Sequence, residues 1–165
     1  MVRFADGPAT EATIALAADP QTVWPVISDI TLPVAHSKEL QAVNWQGAAD
    51  RPAVGAQFIG HNSRWGRDWE THCTVTEYDP PRRFTYEVWS PDEHISTWGY
   101  QLTPDGAGTI LRQWTVLGPG RSGLTAAIRD NPDQEERLIA GRLGDLRKQM
   151  TCNLQAVRSA VAGDG

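Results

Sequence analysis

The order of hydrophobic and polar positions changes along the chain, from alternation in its first two-thirds to a helical period near its end. Residues 10–17 alternate and predict a first strand. Asp19 and Pro20 then predict a helix start, with Asp19 as N-cap, and a short helix follows over residues 21–28. We expect a second helical piece over residues 34–41.

The middle of the chain, residues 43–117, is divided into short segments by turn signals. They recur every ten or so residues, as in Trp65-Gly66 and Pro104-Asp105-Gly106. The segments between them are rich in Val, Thr, Tyr, Phe and Trp. This pattern is typical of an antiparallel meander and not of alternating βαβ units.

Two hairpin registers can be predicted, and each places large rings on one face of the sheet. A tight turn at Trp65-Gly66 gives three inward pairs: Phe58 with Cys73, Gly60 with Thr71, and Asn62 with Trp69. The same register turns Ile59, His61, Glu70 and His72 outward. A hairpin that closes around residues 91–94 gives three further inward pairs: Phe84 with Leu102, Tyr86 with Tyr100, and Val88 with Trp98.

The last strand, residues 109–117, leaves two facings open. Either Leu111, Gln113 and Thr115 point inward, or the alternate set does: Ile110, Arg112, Trp114 and Val116. A glycine-rich link follows, and a long helix is predicted over residues 133–161. Its apolar stripe, which requires a partner, consists of Ile139, Leu143, Leu146, Met150, Asn153 and Val157.

Length and composition narrow the class of protein. With 165 residues, 40% hydrophobic and 21% charged, we expect one globular domain over residues 1–165 with an ordered core of about 10–161. No apolar run has the length of a membrane helix, and the start lacks a secretory pattern, so we expect a cytoplasmic protein without membrane insertion. The net charge of -5 argues against nucleic-acid binding. Cys73 and Cys152 have no metal-type spacing and are expected to be free, buried thiols.

Several motifs support a relationship to a known superfamily. They are Val23-Trp24, Ser28-Asp29, Ser37-Lys38-Glu39-Leu40, Val54-Gly55-Ala56-Gln57-Phe58, Trp69-Glu70-Thr71, Asp79-Pro80-Pro81-Arg82-Arg83-Phe84, Gly108-Thr109 and Glu135-Glu136-Arg137. In this order they resemble the START/SRPBCC (helix-grip, Bet v 1-like) superfamily, in its polyketide cyclase/dehydrase and lipid-transport branch. The resemblance implies an α+β helix-grip fold. A curved seven-stranded antiparallel sheet wraps over the long C-terminal helix, with two short helices between strands 1 and 2.

The same resemblance implies an apolar ligand between sheet and helix. Ring-bearing positions of the inward face would line the cavity: Phe58, Trp69, Tyr86, Trp98 and Tyr100. Polar handles would come from Asn62, Thr71 and Asn153, and further lining from Trp24, Gly60, Leu143 and Met150. The resemblance also places His36 at the cavity entrance. The alternative is a solid aromatic core without a ligand.

Other chemistry finds little support in the sequence. Gly118 to Gly123 match G-x-G-x-x-G, but no βαβ unit surrounds them, so a lid or hinge is the better interpretation. The histidines, His36, His61, His72 and His94, lack metal-ligand spacing, and neither metal nor cofactor is expected.

Three functions remain open, with a monomer or homodimer in each case. The first is binding of a hydrophobic small molecule, a lipid or a polyketide-like aromatic compound. The second is a polyketide aromatase/cyclase that uses Arg112, His36, Tyr100 and Thr71. The third is a protein-interaction domain with a filled core, which a cavity smaller than roughly 300 Å³ would favour.

Overall fold

Seven strands form one antiparallel sheet that packs against a long C-terminal helix. A computed structural model describes residues 1–163. The elements are β1 (Ala9–Leu16), α1 (Pro20–Ile27), a 3₁₀ turn (Leu32–His36), β2 (Leu40–Trp45), β3 (Gln57–Arg64), β4 (Arg67–Asp79), β5 (Arg83–Trp89), β6 (His94–Asp105), β7 (Gly108–Leu117), α2 (Gly123–Asp130) and α3 (Glu135–Ala162). The predicted helix-grip architecture is confirmed. Among residues 1–163, no helix combines the length and apolarity needed to cross a bilayer.

The strands lie in the order β1-β7-β6-β5-β4-β3-β2, so the first two strands occupy opposite edges of the sheet. The inward face of the sheet packs on α3 through one apolar cluster. That cluster joins α3 residues Met150, Leu154 and Val157 to sheet residues such as Phe58 and Leu111. Burial of these side chains is the main favourable term for holding helix and sheet together.

The first helix follows its predicted signals. Asp19 accepts a hydrogen bond from the Thr22 amide at 2.8 Å, and Pro20 occupies the first turn. The second helical piece is wrong beyond His36. The chain becomes extended at Ser37, whose Oγ accepts the Leu40 amide at 2.8 Å, and Leu40 then begins β2. Pairing of this segment with β3 outweighs its weak helical pattern.

The β3–β4 register is confirmed residue by residue, with Phe58 opposite Cys73, Gly60 opposite Thr71 and Asn62 opposite Trp69. The turn uses positive φ at both central residues, 52° at Trp65 and 74° at Gly66. Such a turn matches the twist of paired strands, which explains its strength as a sequence signal.

The predicted β5–β6 pairs are wrong by two residues. The inward pairs of the structure are Phe84 with Tyr100, Tyr86 with Trp98, and Val88 with Ser96. The reason is local: the loop closes tightly, with the Ser90 amide donating to the Glu93 carbonyl at 3.0 Å, and a register irregularity follows Val88. A shift of two preserves side-chain parity, so the rings still face inward.

Strand β7 resolves the facing that the sequence left open. Leu111, Gln113 and Thr115 are buried and point inward. Arg112 points outward and pairs with Glu11 on β1. Trp114 also lies on the outer face, where its ring covers Gly99, since a Cβ on that glycine would come within 2.4 Å of the indole.

The glycine-rich link, predicted as a lid or hinge, is hydrogen-bonded to β6. The amides of Gly118 and Gly120 donate to the carbonyls of Ile95 and His94 at 2.7 and 2.6 Å, which extends the contact with β6. An unpredicted helix, α2, follows at once, because Ser122 and Thr125 form a reciprocal cap.

The two cysteines differ in exposure: Cys73 is buried as predicted, whereas Cys152 is exposed. The expectation for Cys152 was wrong because this residue lies beside the buried stripe of α3 and not within it. Burial raises the pKa of the Cys73 thiol to about 12. Of the two thiols, Cys152 is therefore the one accessible to a reagent.

We expect one thiol per chain to react rapidly with a disulfide reagent in the native state, and the second only after unfolding. The measurement is the time course of labelling in native buffer and in denaturant. Cys152→Ser should remove the fast phase and leave the slow one. A fast phase that persists in Cys152→Ser would show that Cys73 is not enclosed.

Candidate functional site

Aromatic side chains fill much of the space between the sheet and α1. They form a continuous series of ring contacts with centroid separations from 5.3 to 6.1 Å: Trp45–Phe58, Phe58–Tyr86, Tyr86–Phe84, Phe84–Tyr78 and Tyr78–Trp24. The rings meet in tilted or edge-on orientations, which are the favourable ones. The inward face is therefore a packed aromatic layer.

A small pocket lies between this layer and the end of α1. Its volume is about 10 Å³, room for roughly one water molecule. Its lining joins the α1 end and the following turn to the sheet: Ile27, Asp29, Ile30, Pro33, Phe58, Phe84, Tyr86 and Tyr100. Drug-sized ligands occupy roughly 300–1,000 Å³, so this pocket is too small to hold one in the present structure.

A buried polar cluster crosses the apolar interior next to this pocket. Asn153 on α3 is 2% exposed, and its Nδ2 donates to the Tyr100 hydroxyl at 2.8 Å and to Gln113 Oε1 at 3.0 Å. Asn153 Oδ1 is buried without a hydrogen-bond partner. Burial raises the pKa of Tyr100, which the hydrogen bond from Asn153 only partly offsets, so its phenol stays neutral. Tyr100 links this polar cluster to the pocket wall.

The other two predicted polar handles, Asn62 and Thr71, satisfy each other. Asn62 Nδ2 donates to Thr71 Oγ1 and to the Gly60 carbonyl, both at 3.3 Å. Gly60 itself is closely packed, because a Cβ there would lie 2.7 Å from Thr71 Oγ1 and 3.0 Å from Leu40 Cδ1. This part of the inward face therefore has no free space at Gly60.

The remaining predicted positions lie around the core and not on the pocket. Trp24 and Met150 are buried, and Trp98 is half-buried with its indole N–H donating to Ser96 Oγ at 3.1 Å. Trp69 and Leu143 are half-buried. His36 ends the 3₁₀ turn, but Pro33 is the residue of that turn that lines the pocket.

The charged candidates do not assemble into a reactive centre. Arg112, a candidate for catalysis, points outward from β7 and pairs with Glu11. His61 lies 3.3 Å from Glu70 on the outer face, as its register predicted. Within the described residues 1–163, no three His, Cys, Asp or Glu side chains come together as metal ligands.

One ion-pair cluster, which sequence inspection missed, joins the start of β2 to β3 and α3. Glu39 Oε1 accepts hydrogen bonds from Arg64 at 2.9 Å and from Arg142 at 2.8 Å, and Oε2 accepts a second one from Arg142 at 3.2 Å. Burial alone would raise the pKa of Glu39, but the two guanidinium groups outweigh it and lower the pKa. No local motif signals this cluster, because its members lie far apart in sequence.

We expect Arg142→Met to lower the free energy of unfolding at pH 7 by about 1 kcal/mol. The expected change lies between the free energies usually lost when an exposed and a buried ion pair are broken, because Arg64 still pairs with Glu39. The folded pKa of Glu39 lies below its usual 4.5, so the cluster is stabilising above that pH and is lost as pH falls through the folded pKa. Denaturant unfolding at pH 7 and at acid pH measures both effects.

Arg147→Met on the exposed face of α3 is the matched control and should change little. A difference between Arg142→Met and the parent that grows as pH falls below 4.5 would contradict this role of Glu39.

A comparison of the sequence with known protein families agrees with this fold of a sheet, a long helix and an inward aromatic layer. The model of the family described as "Polyketide cyclase / dehydrase and lipid transport" matches residues 8–158. The chain belongs to this family. No curated protein gives a sequence match.

Solved structures of similar fold include proteins of different description. The Polyketide_cyc-like protein Cgl2372 from Corynebacterium glutamicum is 24% identical with a TM-score of 0.63, covering 94% of each chain. The Zhui aromatase/cyclase from Streptomyces sp. R1128 is 18% identical with a TM-score of 0.64, covering 96% of this chain and 98% of its own. Ara h 8.0201 is 11% identical with a TM-score of 0.56, covering 95% and 99%. At these identities the likeness shows the fold.

Proposed function

We propose that this protein binds an apolar small molecule, a lipid or a polyketide-like aromatic compound, in the pocket between its sheet and the end of α1. The observation that carries the proposal is the aromatic pocket between two walls of unequal rigidity. The sheet wall, with Phe58, Tyr86 and Tyr100, is held by interstrand hydrogen bonds. The family description, which includes lipid transport, supports the same function.

The opposite wall is built differently. It comprises the end of α1 and the turn after it, with Ile30 and Pro33 facing the pocket. Its backbone hydrogen bonds are local, from Leu32 to Asp29 and from Val34 to Thr31. A wall without ladder bonds opens at lower free energy than a sheet does. We therefore expect a ligand to enter by outward movement of this segment.

A filled-core interaction domain is the second candidate, and the pocket volume of about 10 Å³ favours it. The aromatase/cyclase alternative has less support. Of its candidate residues, Arg112 faces outward, Thr71 bonds within the sheet, and only Tyr100 lines the pocket.

The test is a titration with the neutral probe N-phenyl-1-naphthylamine, preceded by native mass spectrometry of freshly purified protein to detect a co-purified ligand. We expect saturable 1:1 binding with a Kd of about 1 μM, or about -8 kcal/mol, and quenching of tryptophan fluorescence. Ile30→Phe should weaken binding, because the larger side chain takes up space in the pocket that Ile30 lines. Val54→Phe, at a position 67% exposed, is the matched control.

Binding by the parent and by Val54→Phe, with at least tenfold weaker binding by folded Ile30→Phe, would support the proposal. A parent protein that carries no ligand and shows no saturable binding would favour the filled core.

A further inference from the structure

The buried Asn153 amide has more hydrogen-bonding capacity than its neighbours use. Nδ2 serves both Tyr100 and Gln113, and Oδ1 has no partner. If the Asn153 amide were turned over, its oxygen would pair with Tyr100 and Gln113, and its nitrogen would then be left without a hydrogen-bond partner. An unsatisfied buried polar atom is costly, so its retention in an apolar interior points to a partner that arrives with a ligand.

The interior offers no charge to such a ligand. Among residues 1–163 the buried polar side chains are all hydroxyls or amides: Thr85, Ser96, Thr109, Gln113, Thr115 and Asn153. The charged side chain that lines the pocket is Asp29, which is exposed and acidic. An ionised carboxylate on the ligand would meet no cation in the pocket lining and would be repelled at the mouth.

The geometry points to a neutral, hydroxyl-bearing apolar ligand, a phenol or an alcohol, whose hydroxyl group bonds to Asn153 and Tyr100. This inference rests on the proposed function and on the Tyr100 hydroxyl, because Tyr100 lines the pocket, whereas Asn153, which bonds to that hydroxyl, is not part of the lining of the closed pocket. The ligand O–H donates to Asn153 Oδ1. The ligand oxygen accepts a hydrogen bond from the Tyr100 hydroxyl, because the Tyr100 oxygen already accepts a hydrogen bond from Asn153. A hydroxyl both donates and accepts, so it satisfies either orientation of the amide.

The protonation of the neighbouring groups supports a neutral site. Burial raises the pKa values of Tyr100 and Tyr86, and that of Cys73 to about 12. These groups therefore carry no charge at neutral pH, and Tyr100 remains a hydrogen-bond donor.

The test compares three probes with one ring system at pH 7: naphthalene, 2-naphthol and 2-naphthoate. We expect 2-naphthol to bind about five- to tenfold more tightly than naphthalene, the usual gain from one satisfied hydrogen bond. We expect 2-naphthoate to bind at least tenfold more weakly than 2-naphthol, because its charge is desolvated without a partner. Tryptophan quenching and calorimetry measure the three constants.

The variant Asn153→Leu should bind naphthalene and lose the preference for 2-naphthol. Gln155→Leu makes a similar change on the exposed face of α3 and should keep the preference. Tyr100→Phe removes the second partner with little change in volume and serves if Asn153→Leu fails to fold. In Tyr100→Phe we expect the preference to fall toward equal binding.

Equal binding of naphthalene and 2-naphthol by the parent would overturn this inference and leave the proposed function standing. Tightest binding of 2-naphthoate would also overturn it. If none of the three probes binds, both the inference and the proposed function fail.

Discussion

A chain that ends at residue 132 is expected to remain unfolded. Truncation removes α3, whose buried apolar residues are Ile139, Leu146, Met150, Leu154 and Val157. Each contributes about 1.5–3 kcal/mol by burial, and their sum is comparable to the whole net stability of a domain. The truncation also exposes the inward aromatic face of the sheet to water.

Circular dichroism and two-dimensional NMR of residues 1–132 measure this effect, with the full chain as reference. We expect loss of the helical signal, poor dispersion and aggregation. A monomeric, well-dispersed spectrum from the truncated chain would show that the sheet does not need α3.

Replacement of Gly60 by leucine is expected to lower the free energy of unfolding by about 1–3 kcal/mol, the usual cost of overpacking. The sequence places Gly60 among the lining positions of an expected cavity, where a leucine side chain would find space at little cost. The structure corrects that expectation, because even a Cβ would lie 2.7 Å from Thr71 Oγ1. Denaturant unfolding of the variant and the parent measures the difference.

Gly144→Leu is the matched control, since nothing lies within 4 Å of a Cβ at that helical position. It should be neutral or stabilising, because leucine favours helix more than glycine by several tenths of a kcal/mol. The open space around Gly144 also excludes close packing as the reason for a glycine at this position. A Gly60→Leu variant as stable as the parent would reveal space on the inward face that the structure does not show.

Much of the fold could be predicted because its signals are local. The Trp65-Gly66 turn determined the β3–β4 register, and Asp19-Pro20 determined the start of α1. The loop between β5 and β6 carries a weaker turn signal. The side chains of these two strands were therefore predicted on the correct faces of the sheet, but with pairs shifted by two residues. The start of β2 was predicted as helical, because pairing with β3 is what makes this segment extended.

The candidate site could be predicted only in part. Parity placed Phe58, Tyr86 and Tyr100 on one face, and they line the pocket. The side of the sheet on which Gln113 lies could not be predicted, because the sequence of β7 does not indicate which of its faces points inward. In the structure Gln113 is buried. The Glu39 ion pairs depend on tertiary contacts with β3 and α3, which no local pattern encodes.

The order of the strands has a consequence for how the chain folds. Strand β1 ends at Leu16, yet its only partner in the sheet begins at Gly108. The hairpins from β2 to β7 can close between neighbours in sequence, whereas pairing of β1 with β7 must wait until the chain has been made as far as Leu117. Contacts of such high sequence separation carry the largest loop-closure entropy and slow folding. Of the seven strands of this sheet, β1 is thus made first and paired last, and until then the β7 edge is open to other chains.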